Sequence, residues 1–270
     1  MSINLGEVFT TFATKYDKQN ILSYAGVLFF LSLLCAFVGV SSLTGTIICM
    51  IVYIIATTIY IGYYAVTSNN EANNIKNAFP SINDLGNIIK EGIKYSLGMF
   101  SLSIIVYVLP FAIMGCLIFY SIKEGLAATS ILTSFFWFLL LLLLIILLGY
   151  FIVLPLQIIY LKSLNFNDFF AFDKIKEFKA RKGNQFLTFF LFSIIVNIAI
   201  SVVASTLSVT TLIAGGIAKI GNIDIYAQLF NFFITMVLYN LLLPNLNGQI
   251  ARYDVSKDPD IYDDEYEEDV

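Results

Sequence analysis

Ionised side chains vanish from this sequence over five long tracts, and a charge at the centre of a bilayer costs at least about 2.5–3.5 kcal/mol. The tracts are 21–70, 95–122, 125–161, 183–218 and 225–251, together 178 of 270 residues. A transmembrane helix needs about 20 apolar residues, so each of the last four tracts holds one. The first holds two, parted at the turn-forming Ser41, Ser42, Thr44 and Gly45. The expected spans are 21–40, 46–66, 98–120, 134–158, 187–211 and 227–244. With 59% hydrophobic and 13% charged residues, the chain lies far from the soluble-domain average. Lipid is the solvent for most of it.

Basic residues set the orientation. Thirteen of the 15 Lys and Arg fall on one side of the expected spans, and only Lys123 and Lys219 on the other. Both termini are therefore expected in the cytoplasm, with the protein in the cell membrane. The chain has no histidine and a formal charge of −4, so the commonest general base and metal ligand is missing and nothing draws it to nucleic acid. No cofactor and no metal are expected. Cys35, Cys49 and Cys116 lie inside spans without CxxC spacing and read as small apolar filler.

A repeat organises the spans. Ser2-Ile3-Asn4-Leu5-Gly6 returns as Ser81-Ile82-Asn83-Asp84-Leu85-Gly86, followed by Lys15-Tyr16 and Lys94-Tyr95; a weaker third copy begins near Phe166-Asn167-Asp168-Phe169. Leu5, Val8, Phe9, Phe12, Ala13 and Tyr16 follow helical spacing, as do Leu85, Ile88, Ile89, Ile93 and Leu97. The expected fold is thus an all-α polytopic membrane protein. Its six transmembrane helices form three parallel-repeat hairpins, each with a cytoplasmic interfacial amphipathic helix. The membrane domain covers 1–250, in units of about 1–66, 81–160 and 166–250. From 251 to 270 nine acids stand against Arg252 and Lys257, which predicts an acidic, disordered cytoplasmic tail.

Gly62-Tyr63, Phe79-Pro80, Asp84-Leu85-Gly86, Gly92-Ile93-Lys94, Tyr107-Val108-Leu109-Pro110 and Phe170-Ala171-Phe172-Asp173 occur in this order. In order and spacing they resemble the signature of the domain of unknown function 4013 family of bacterial and archaeal membrane proteins. The resemblance covers most of 2–250. It implies a six-helix membrane protein of unassigned role, distantly similar to membrane regions attached to glycerophosphodiester phosphodiesterases, and it carries over no catalytic residue.

Two clusters are candidate sites. Lys174, Lys176, Lys179, Arg181 and Lys182 flank aromatic residues on the leaflet where anionic headgroups gather, and are candidates for lipid headgroup contact. Asn197, Ser201, Ser205 and Ser208 share one face of the fifth span and form a candidate intramembrane polar face, although close helix packing through small residues and interhelical hydrogen bonds is the favoured reading of it. No ionisable group falls inside the expected spans. Pro110, Pro155 and Pro244 break or end spans. These features point to a non-enzymatic membrane protein that binds or organises lipids or serves as an interaction partner. The alternative is a small passive or accessory permease using the proline-broken spans. Membrane lipids and an unidentified protein are the expected partners, and nucleic acid is not.

Overall fold

The structure is a computed structural model and describes residues 3–38, 43–123, 129–182, 185–217 and 223–252. Among the described residues there is no strand. A short helix α1 (Leu5–Thr14) precedes α2 (Lys18–Val38), α3 (Leu43–Ala72) and α4 (Leu85–Lys123). Then follow α5 (Thr129–Leu148), a π-helical turn (Gly149–Val153), α6 (Leu154–Ser163), α7 (Lys174–Lys182), α8 (Gln185–Ile217) and α9 (Ile223–Arg252). Five helices are long and apolar enough to cross a membrane, six if α4, bent by 41° at Pro110, is one span. The chain is a multi-pass membrane protein.

The expected spans 46–66, 98–120, 187–211 and 227–244 each lie within one helix, 134–158 runs through α5, the π turn and α6, and 21–40 follows α2 as far as Val38, its last two residues lying outside the described ones. Thr44 and Gly45, expected in a turn, belong to the first turn of α3, while Ser41 and Ser42 lie outside the described residues. The expected interfacial helix at 85–97 is no separate element: it runs unbroken into α4, 39 residues long. Glycine explains this. A Cβ on Gly62 of α3 would meet the Ile88 carbonyl oxygen at 2.0 Å, and one on Gly92 of α4 would meet the Thr58 carbonyl oxygen at 2.2 Å. The two backbones therefore touch where a lipid-seated helix would have bent away.

α9 does not end at Pro244 as expected but continues to Arg252. Residues 240–251 are all buried, and α9 packs on α1, α2, α3, α6 and α8. It is the central post of the bundle. Pro155 has the effect expected of an interior proline. Lacking an N–H for the Phe151 carbonyl, it follows a π turn in which the Leu154 N–H donates to the Gly149 carbonyl.

The amphipathic stripes are also rearranged. α1 starts at Asn4, whose side chain accepts from the Glu7 N–H at 3.3 Å. It buries Val8 and Thr11, with Tyr16 buried just past its end, while Phe9 stays exposed, because it docks on the end of α9 rather than lying free beneath a hairpin. In the third unit, Phe169 stacks on Tyr160 with ring centroids 4.1 Å apart, and Phe178 meets Phe186 at 5.8 Å. Both rings turn into the protein. The acidic segment 253–270 lies outside the described residues; Ala251 and Arg252, expected in that tail, belong to α9.

Candidate functional site

The ends of α3, α6 and α9 and the starts of α4 and α8 meet α1 and α7 at one end of the bundle. Reciprocal bonds fix the meeting: the Asn4 N–H donates to Gln249 Oε1 at 2.6 Å, Gln249 Nε2 to the Asn4 carbonyl at 3.1 Å, and Asn69 Nδ2 to the Leu161 carbonyl at 3.0 Å. At this shared end lie the described Lys and Arg residues, apart from Lys123 at the far tip of α4.

The link from α6 to α7 is built by Asp168. α6 stops at Leu164, whose φ of 52° is left-handed. Asp168 then accepts from Ser163 Oγ at 2.5 Å and from Lys174 Nζ at 2.7 Å. Burial opposes its ionisation most strongly, but the Lys174 and Ser163 bonds outweigh it and hold the carboxyl below its ordinary value. Lys174 is raised in turn, first by its hydrogen bond to Asp168. The signs follow. The aspartate's contribution to folding is present above its ordinary value and is lost as pH falls through the lowered one; that of Lys174 is lost only as pH rises past its own raised value. Acid is therefore expected to loosen 163–174, and Asp168→Asn to do so at neutral pH. Amide exchange in peptides covering 163–174 checks this, and an unchanged rate in the variant would contradict it.

α7 closes a cavity of about 540 Å³ between itself, α6 and the tip of α9. Ile158, Ile159 and Phe178 supply an apolar wall, and five cations (Lys162, Lys174, Arg181, Lys182, Arg252) face two carboxylates, Asp168 and Glu177. Lys174 pairs with Asp168, and Arg181 with Glu177. Lys182 is buried, with Nζ donating to the Ala251 carbonyl at 3.2 Å and lying 5.7 Å from the Phe178 ring. Three of the five cations expected from the sequence thus converge here. Lys176 is exposed elsewhere on α7, and Lys179 turns aside to sit 4.4 Å over the Phe151 ring, where burial pushes its ammonium down. Lys162 and Arg252, from two other helices, complete the cavity.

Arg252 also borders a second cavity of about 370 Å³, with Lys15, Glu71, Asn74 and Lys76. Its Nε donates to the Gly248 carbonyl at 3.2 Å, its Nη1 to Asn74 Oδ1, and its Nη2 lies 3.9 Å from Glu71 Oε2. Asn245 Nδ2 donates to the same Glu71 oxygen at 3.3 Å. Gly248 makes room, because a Cβ there would fall 2.4 Å from Glu71 Cβ. Glu71 and Glu91 are each 4% exposed inside α3 and α4. Both lie just beyond the expected spans, in helical turns that continue past the expected boundaries. Glu91 accepts from Lys94 at 2.7 Å and from Tyr160 at 3.4 Å.

Deeper in the bundle the polar groups pair with one another. Asn240 Nδ2 donates to Tyr24 Oη at 2.7 Å and to the Tyr60 carbonyl at 2.9 Å; Gln157 donates to Tyr64 and Tyr95, and Asn247 to Tyr64. The expected polar face on α8 divides. Asn197 accepts from Tyr239 and Ser208 donates to the Ala227 carbonyl at 3.2 Å, both tying α8 to α9. Ser201 and Ser205 are exposed, because the buried stripe runs through Val196, Ile200 and Ala204. The four do not line one path. Two further cavities, about 220 and 140 Å³, have apolar walls, one at Phe29, Phe230 and Phe233 and one at Pro110 and Trp137. No group of metal-binding side chains occurs among the described residues.

A family model described as Protein of unknown function (DUF4013) matches residues 45–209, more than half of the chain. No curated protein and no solved structure matches.

Proposed function

The chain belongs to the DUF4013 family, whose role is unassigned, and from that premise we propose that it acts without catalysis, holding anionic lipid headgroups at the cell membrane. The observation that carries this reading is the cavity of about 540 Å³, with five cations around it, two carboxylates and an apolar wall. A phosphate seated there would meet Lys162 and Arg181, while acyl chains run along the apolar flank of α6. Basic pockets between membrane helices on the cytoplasmic side suit such headgroups. In this reading the shared end and both termini face the cytoplasm. The alternative, an accessory permease, has less support, since Asn240, Gln157 and Asn247 donate to the phenols of Tyr24, Tyr64 and Tyr95 and the predicted polar face divides.

The test is lipid selection. In nanodiscs of mixed phosphatidylglycerol and phosphatidylcholine, the anionic lipid is expected to stay bound preferentially, as read by native mass spectrometry. Each cation near a phosphate is worth about 1 kcal/mol, so Lys162→Ala with Arg181→Ala removes about 2 kcal/mol and weakens retention roughly 30-fold. Equal retention of both lipids, or no loss in the double variant, would refute the proposal.

A further inference from the structure

Cys35 and Cys49 are 14 residues apart, yet they face each other across the α2–α3 hairpin. Cys35 Sγ lies 3.9 Å from the Cys49 carbonyl oxygen, and Cys49 Sγ lies 3.5 Å from that of Cys35. The contacts are reciprocal, so each side chain leans across to the other's backbone. Both residues are half-buried, which keeps a small reagent within reach. Cys35 is in the last turn of α2 and Cys49 in the second turn of α3, so the pair sits at the end of the bundle away from the basic cavity. If the basic end faces the cytoplasm, this end faces the compartment where disulfides persist.

We infer that Cys35 and Cys49 are an oxidisable dithiol whose disulfide staples α2 to α3 at the far end of the bundle. The oxidant is a small-molecule disulfide or a thiol oxidase that works by disulfide exchange. One protein thiolate attacks the reagent's disulfide and expels a thiolate, leaving a mixed disulfide. The second protein thiolate attacks the protein-bound sulfur and expels the other half of the reagent. Two protein thiols lose two protons and two electrons, and the reagent disulfide is reduced to two thiols.

The test uses the full chain in nanodiscs with the exposed Cys116 replaced by Cys116→Ala. After treatment with oxidised glutathione, the expected product is about 2 Da lighter, retains no glutathione and adds no maleimide, and dithiothreitol restores two maleimide sites. Digestion should yield a peptide joining residue 35 to residue 49. A companion variant that also carries Cys49→Ser should stop at a glutathione adduct on Cys35, proving that the site is reached. Glutathione retained on both thiols of the Cys116→Ala chain would overturn the inference. So would thiols left unchanged there while the companion variant takes its adduct, or thiols unreactive in both.

Discussion

Gly62→Ala is expected to lower the thermal midpoint of the purified protein by roughly 6–12 °C. The new methyl carbon would fall 2.0 Å from the Ile88 carbonyl oxygen and 2.7 Å from its carbon, so a backbone must move rather than a flexible side chain. Overpacking costs about 1–3 kcal/mol in ordinary cores, and a clash with main chain belongs at the upper end. For a chain of this size each kcal/mol corresponds to about 2–4 °C. Gly92→Ala, on the opposing helix and 2.2 Å from the Thr58 carbonyl oxygen, should behave alike. A Cβ on Gly26 or Gly115 would meet nothing within 4 Å, and alanine there should be neutral or slightly stabilising, since glycine in a helix interior costs about 1 kcal/mol. A Gly62→Ala midpoint within about 2 °C of the parent, no more than a sub-kcal/mol change, would mean that α3 and α4 are not pressed together at these glycines.

Arg252→Ala should be the more damaging change, at about 3–5 kcal/mol, the usual cost of stripping one partner from a buried ion pair. Glu71 is 4% exposed, and its Oε2 is met by the Asn245 amide and by Arg252. Loss of the arginine also leaves Asn74 and Gly248 without its donors. Adding Glu71→Gln should recover a large part of the loss, because a neutral amide keeps the bond from Asn245 and needs no counter-charge. Amide exchange in α1 gives a second reading, as α1 docks on the turn of α9 that Arg252 anchors. A double variant no more stable than Arg252→Ala alone would show that the charge pair contributes nothing there.

The helices were legible because hydrocarbon excludes ions, so the gaps between charges fall where helices must cross. Their ends were not, because protein can solvate what lipid cannot. Thr67, Ser68 and Glu71 look like the start of a loop, yet they extend α3 while Ser68 and Glu71 take bonds from Asn247 and Asn245. Those amides lie beyond Pro244, where a helix was expected to stop. Of the basic cavity, Lys174, Arg181 and Lys182 could be read from one short segment. Lys162 and Arg252 come from helices far apart in sequence, and no local spacing announces them. Cys35 and Cys49 escaped for the same reason: short-range motifs are searched over a few residues, whereas a hairpin joins positions across its turn. Ser201 and Ser205 failed in the other direction. They share a face with Asn197, but the α8 surface that meets α9 lies one residue over, along Val196 and Ile200.

The placement of α9 bears on how the protein is made. It follows α2, α3 and α8 in the chain, and yet it is the one around which they gather. Until it arrives, Tyr24, Tyr64 and Glu71 lack their partners on Asn240, Asn247 and Asn245. A nascent chain in which α9 has not yet inserted therefore carries these polar groups without those partners, the stage at which insertion chaperones and quality-control proteases would have most to recognise.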